Sequence, residues 1–301
     1  MRAKLQRWGV RRMLLAARAA LARTDSAKVV RAMTHRAAPM FARQEAYAAS
    51  EPFAIGEARA WWIDPSGSPQ GGVILYFHGG GFIAECRAIH DPLLAALARA
   101  AGARGLMIDY RLAPEHPFPA ATEDCFAAWN WMLSRGFDPA RVVFAGDSAG
   151  GNLAVGTAMR ARDEDLPLPA AIVLMSPMLD LTFSGPSFER NDGIDPMLRA
   201  GTARRVQTWY APGLDLADPR ISPLYGRMDG LPPAMLHVGS PEILLDDTLR
   251  YAARTPDARV AVWHDMPHVF PAIRGIPEGD RAIAEMADFI HVHTSEATRG
   301  A

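Results

Sequence analysis

Gly146 Asp147 Ser148 Ala149 Gly150 Gly151 is the stretch on which the reading of this chain turns. The apolar run Val142 Val143 Phe144 Ala145 precedes it, and residues 152–162 follow with helical spacing. Strand, glycine-flanked turn and helix in that order make a nucleophile elbow, where the sharp turn pushes a serine out of the sheet top toward a substrate. Gly146 and Gly150 leave space for neighbouring backbone. Taken alone, G-x-S-x-G is equally compatible with a plain loop and a helix-capping serine.

A second landmark lies upstream. Residues 72–77 form a continuous apolar run suited to a buried strand, and it empties into His78 Gly79 Gly80 Gly81 Phe82. Three glycines directly after a strand let the backbone fold close to a ligand and aim its N–H groups inward. His78 is expected to brace this loop by hydrogen bonding rather than to move protons.

Working outward, residues 3–23 and 27–33 read as helices. Residues 57–63 read as an edge strand closed by the turn Asp64 Pro65 Ser66 Gly67. A helix over 91–101 opens with Asp91 Pro92, a strand covers 105–109, and a helix covers 120–135. Strands at 170–175, 234–238 and 260–263 and helices at 244–254 and 278–293 complete the pattern. Such alternation describes an α/β fold, a mostly parallel sheet flanked by helices on both faces. Between residues 176 and 222 it stops, leaving prolines, acids and one expected helix at 202–210. An excursion of that length suits a lid better than a disordered loop.

The 301 residues are 49% hydrophobic and 22% charged, ordinary for a globular protein with a substantial core. A net charge of −1 hides an asymmetry, because residues 1–43 carry eleven Lys or Arg against Asp25 alone. A basic leader of this kind suits a presequence, a membrane-surface helix or a structural segment laid over an acidic body. Its frequent apolar positions and the lack of a linker favour the last. No apolar run is long enough to cross a bilayer, no secretory signal fits, and Cys86 and Cys125 are too few for a disulfide framework, so the expected compartment is the cytoplasm. The leader lacks the interleaved aromatics of a nucleic-acid binder, and no nucleic-acid partner is expected.

A serine hydroxyl needs a base within hydrogen-bond reach, normally a histidine oriented by a carboxylate, in the chain order Ser, acid, His. Of the histidines after Ser148, His237 and His264 fall in strand patterns and His291 and His293 on the last helix. Only His268 falls on a loop just past a strand. For the acid, Glu242 stands on the turn after the strand at 234–238. Asp246 and Asp247 lie a helical turn further on, better placed for capping or surface pairing. Glu242 is preferred and Asp246 stays open.

The HGGG run at 78–81, DYRLAPEHPFPAA at 109–121, GDSAGG at 146–151 and MPHVF around His268 together resemble the hormone-sensitive lipase-like esterases, bacterial lipolytic family IV. The resemblance implies an α/β-hydrolase fold with a helical cap and a carboxylesterase of short acyl esters. It also implies an oxyanion hole built by the N–H groups of Gly79, Gly80 and Ala149. Many relatives begin the acid motif with aspartate, and that position falls on Glu242 here. The expected catalytic set is therefore Ser148, Glu242 and His268, acting on a small-molecule ester without metal or cofactor. Residues 1–48 and 180–221 are expected to form the cap, offering Phe41, Met197, Trp209 and Tyr210 as pocket wall, and residues 49–179 and 222–301 the catalytic domain. A homodimer is left open. The rival readings are a deacetylase or amidase acting on an acetylated metabolite, and a non-catalytic receptor on the same fold.

Overall fold

Successive side chains of a strand point to opposite faces, and residues 73–77 use this to build two cores. Val73, Leu75 and Phe77 join one buried cluster, while Ile74 and Tyr76 join the other. The computed structural model describes residues 2–65 and 72–295, and side chains from residue 9 onward. The side chains of Leu5 and Trp8 and the Ser66 Gly67 half of the expected turn lie outside what is described.

The strands are β1 (Tyr47–Ala49), β2 (Phe53–Ile55), β3 (Ala58–Pro65), β4 (Val73–Phe77), β5 (Arg104–Asp109), β6 (Val142–Asp147), β7 (Ala171–Met175), β8 (Ala234–Gly239) and β9 (Ala258–Trp263). They form one sheet in the order β1-β3-β5-β4-β6-β7-β8-β9, with β2 also paired to β3. β3 runs antiparallel to its neighbours, and every pairing from β5 to β9 is parallel. The helices are α1 (Arg2–Leu21), α2 (Ala27–Phe41), α3 (Arg87–Ala100), α4 (Ala120–Ser134), α5 (Ala149–Asp163), α6 (Pro186–Arg190), α7 (Ala200–Tyr210), α8 (Leu245–Arg254) and α9 (Pro277–Ser295). Buried residues of α4, α5 and α8 pack on one face of the sheet, and those of α3 and α9 on the other.

Three expectations need correction. β3 is not an edge strand, because the short β1 and β2 pair with its outer side. α3 begins at Arg87 and carries Pro92 inside it; the Asp91 side chain does not cap the helix but accepts from Trp61 Nε1 at 3.1 Å and Arg87 Nε at 3.0 Å, tying the first turn to β3. α2 continues through Pro39 to Phe41 instead of stopping at Met33, held by the burial of Ala38 and by tertiary contacts that outweigh one missing backbone hydrogen bond.

The basic leader lies on the rest of the molecule. Arg18 donates to the Asp195 carbonyl, and Arg205 reaches back to the Leu21 and Ala22 carbonyls and to Asp25. Arg31 donates to the Ile83 carbonyl, to the Ala113 carbonyl at 2.6 Å and to Glu115 at 2.5 Å. Arg43 donates to the Pro271 carbonyl at 2.9 Å and to Asp280 at 2.6 Å. No helix among the described residues is long and apolar enough to cross a membrane.

Close approach at the elbow depends on missing side chains. A Cβ on Gly150 would sit 1.9 Å from the Phe77 carbonyl oxygen, and one on Gly146 would sit 2.4 Å from the Gly150 carbonyl oxygen. Gly150→Ala is therefore expected to separate α5 from β4 and to cost about 3 kcal/mol of stability, read as a lowered urea midpoint.

Candidate active site

Ser148 sits where β6 turns into α5, with φ 52° and ψ −120°. A side chain at positive φ is strained, and the surrounding backbone holds it there: Ser148 N–H donates to the Met175 carbonyl at 2.9 Å, and its own carbonyl accepts from Gly151 and Met178. Only its rim faces the cavity described below, at 9% exposure.

The preceding residue, Asp147, is buried. Its carboxylate accepts from Tyr76 Oη at 2.7 Å and from the Gly79 N–H at 2.9 Å, and His90 Nε2 lies 3.6 Å away. Burial pushes its carboxyl up, but His90 and these hydrogen bonds outweigh that and hold it below the usual carboxylate range. For His90 burial works downward, and the charge and hydrogen bond of Asp147 overcome it, so the imidazole binds its proton more tightly than usual. His78 behaves as expected for a brace: it stacks on Tyr110 at 4.2 Å, its Nδ1 lies 2.7 Å from the Gly79 carbonyl, and burial lowers its pKa to about 3.

This arrangement corrects the glycine assignment. The Gly79 N–H is already used on Asp147, and a Cβ at 79 would meet that carboxylate at 2.1 Å. Gly80 and Gly81, at φ 111° and 63°, are the ones that line the cavity with Ser148. Both need glycine, since a Cβ at 80 would sit 2.0 Å from the Ala84 carbonyl oxygen. Ala149 is the first residue of α5, where backbone N–H groups have no intrahelical acceptor.

On the other side of the serine, His268 follows β9 on a tight loop whose next residue, Val269, has φ 50°. His268 Nδ1 lies 2.7 Å from Glu242 Oε2, and both side chains are buried. The second oxygen of Glu242 accepts from Ser176 Oγ at 2.8 Å and from the Gly239 N–H at 2.5 Å. Ser176 Oγ also accepts from the Val269 N–H at 3.0 Å, so one hydroxyl locks acid and histidine loops together. Burial works to lower the His268 pKa, but the Glu242 hydrogen bond and charge, then Asp195 and Asp147, raise it above its ordinary value. No hydrogen bond joins the Ser148 hydroxyl to His268 in this structure. The two side chains share the wall of one cavity.

The remaining candidates separate. Asp246 Oδ2 accepts from the Ser187 N–H at 2.6 Å, and the buried Asp247 accepts from the Leu179 and Asp180 N–H groups at 2.7 and 3.0 Å. Of the two expected roles, capping or surface pairing, Asp246 takes the first by accepting from the first turn of α6, while Asp247 is buried and does neither; both hold the chain that leaves β7. His237 is buried with Nδ1 accepting from Trp263 Nε1 at 2.8 Å, and His264, past the end of β9 rather than inside it, is exposed.

The cavity holds about 210 Å³ and is walled mainly by apolar side chains from many elements, including Val30, Ile83, Ile89, Leu198, Val206 and Leu244. Phe41 and Met197 line it as expected. Trp209 and Tyr210 do not: Trp209 packs on the core from the end of α7, and the fully buried Tyr210 stacks on Phe82 at 3.7 Å. Ser176 and Asp195 carry no sequence expectation, and Gly81 is expected only as part of the glycine loop, not among the oxyanion donors. Asp195 accepts from the Ile243 N–H beside Glu242 and from the Met197 and Leu198 N–H groups, and its only sequence signal is the Asp-Pro step inside the excursion.

A parallel sheet, a serine elbow between strand and helix, and a histidine–carboxylate pair beyond later strands define an α/β hydrolase. The family model for the alpha/beta hydrolase fold matches residues 74–272. An acetyl-hydrolase of Streptomyces hygroscopicus is 39% identical over 81% of this chain and 83% of its own length. An esterase of Acinetobacter venetianus is 34% identical over 72% and 74%. The crystal structure of an esterase from the bacterial hormone-sensitive lipase family superposes with a TM-score of 0.90 at 37% identity, covering 96% of this chain and 98% of the other. The chain belongs to the α/β-hydrolase family, within its hormone-sensitive lipase-like group of esterases.

Ser176→Ala is expected to leave the buried Val269 N–H without an acceptor and to cost about 1–3 kcal/mol, measured by urea denaturation, while loosening the Glu242–His268 pair.

Proposed function

We propose that the protein is a serine carboxylesterase that hydrolyses short-chain acyl esters through an acyl-enzyme intermediate. The observation that carries this reading is the buried 2.7 Å contact between His268 Nδ1 and Glu242 Oε2 on the cavity that Ser148 also lines. A proton on Nδ1, held by Glu242, leaves Nε2 as the base for the serine hydroxyl. As Ser148 attacks the ester carbonyl, His268 takes its proton, and the N–H groups of Gly80, Gly81 and Ala149 meet the oxyanion. Each preorganised donor of this kind lowers the barrier by roughly 3 kcal/mol. His268 then returns the proton to the departing alcohol, and water attacks the acyl-enzyme by the same route. α1, α2 and the 180–221 excursion act as a cap, since Leu21, Phe41, Met197 and Val206 from these segments close the apolar side of the cavity around the acyl group.

Similarity to the Streptomyces acetyl-hydrolase supports a second reading, removal of an acetyl group from a small metabolite by the same machinery. Nitrophenyl esters of increasing acyl length, set beside an acetylated amine, separate the two. The buried, unpaired Cys86 and Cys125 suit a reducing compartment, and we place the protein in the cytoplasm.

Ser148→Ala is expected to abolish nitrophenyl ester hydrolysis while the circular dichroism and melting temperature stay within the range of ordinary point variants; retained turnover would overturn the assignment. The pH dependence follows from His268. A general base works when neutral, and the His268 pKa is raised above 6.5, so kcat/KM should climb with pH through an acid limb above that value. Glu242→Gln removes the charge that raises it. In that variant the limb should move to lower pH and kcat should fall about 10³- to 10⁴-fold, both read from a pH–rate profile.

A further inference from the structure

Helix α2 has two faces put to different uses. Val30, Thr34 and Phe41 line the cavity, and Ala27 and Ala38 are buried. Along the opposite side Lys28, Val29, Ala32, His35, Arg36 and Met40 are exposed, at the three-, four- and seven-residue spacings of one helical stripe. Val29 is 44% and Met40 61% exposed, so two aliphatic side chains stand in water between cations.

Neither α1 nor α2 contains an acidic residue, and Asp25, between them, is occupied by Arg205 at 3.3 Å. Arg18, Arg31 and Arg43 are spent inward on the body. Lys28 and Arg36 make no ion pair among the described residues. Solvated faces ordinarily intersperse both signs of charge. A stripe of cations alone, with protruding aliphatic groups, complements a surface that offers phosphates above hydrocarbon.

We infer that the outer face of α2 docks the protein on an anionic lipid surface. Cations meet the headgroup phosphates while Val29 and Met40 enter the headgroup–acyl boundary. The helix that walls the cavity then lies on the lipid, so an amphiphilic ester leaving the layer meets the cavity directly. A nucleic acid is the less suitable polyanion for this face, which carries no Phe, Tyr or Trp on which a base could stack. The docking rests on surface chemistry alone, and it stands or falls separately from the esterase reading.

The test is co-sedimentation of the full chain with vesicles of phosphatidylglycerol mixed into phosphatidylcholine, against vesicles of phosphatidylcholine alone. The mixed vesicles are expected to bind about tenfold or more of the protein, an advantage that fades as salt is raised. Lys28→Glu combined with Arg36→Glu should reduce binding at least about thirtyfold. Val29→Ser combined with Met40→Ser should reduce it by a smaller factor that salt does not change. Both variants should retain the wild-type melting temperature and the wild-type rate on a soluble nitrophenyl ester, since none of the four residues lines the cavity. Equal binding to both vesicle types, binding untouched by the charge reversal, or capture by duplex DNA with none by the mixed vesicles would each overturn the inference.

Discussion

The Asp147 carboxylate is shut away from water one residue before the elbow serine, and a buried charge has to be met by donors from whatever packs around it. Tyr76 supplies one from β4, the glycine loop supplies the Gly79 N–H, and the imidazole of His90 faces the carboxylate from α3 at 3.6 Å. The stretch from β4 through the glycine loop into α3 is thereby held to the elbow, which lies 71 residues beyond Tyr76 and 68 beyond Gly79. Because Gly79 is anchored there, the next two glycines are held at positive φ beside Ser148, with Ala84 and Val206 pressed against the places where side chains would be. The position of the glycine loop is a consequence of satisfying Asp147.

A matching device holds the far side of the serine. Glu242 is as deeply buried as Asp147, and its two oxygens are divided between His268 on one hand and Ser176 and the Gly239 N–H on the other. Ser176 belongs to the chain leaving β7, as do the N–H groups that Asp247 accepts, so the root of the excursion is fastened to the acid turn and α8. Asp195 adds a further tie by accepting from the Ile243 N–H. The excursion after β7, which contributes Met197 and Val206 to the cavity wall, is thus rooted in the same hydrogen bonds that orient the histidine.

What was readable from the chain were its local signals. The parallel core followed from apolar runs separated by amphipathic stretches, and the positions of Ser148, Glu242 and His268 followed from strand ends and turn residues. The errors came where a distant partner outvoted a local rule. Asp91 Pro92 looks like a helix start, but Trp61 and Arg87 hold Asp91 inside a helix already under way. Asp247 looks like a surface residue on a helix, but the chain from β7 folds over it and leaves it buried against two backbone N–H groups. Tyr210 looks like a pocket wall, but the ring of Phe82 covers it completely.

By itself the sequence determined the layered α/β architecture, the elbow and the order of its chemically active residues, because these depend on side-chain periodicity and on backbone conformations that neighbouring residues set. Only the tertiary structure decided which glycines line the cavity, which carboxylate meets His268 and which apolar residues wall the cavity. Those choices are settled by hydrogen-bond partners and packing surfaces brought from 26 to more than 100 residues away, and nothing in the local run of residues records who those partners will be.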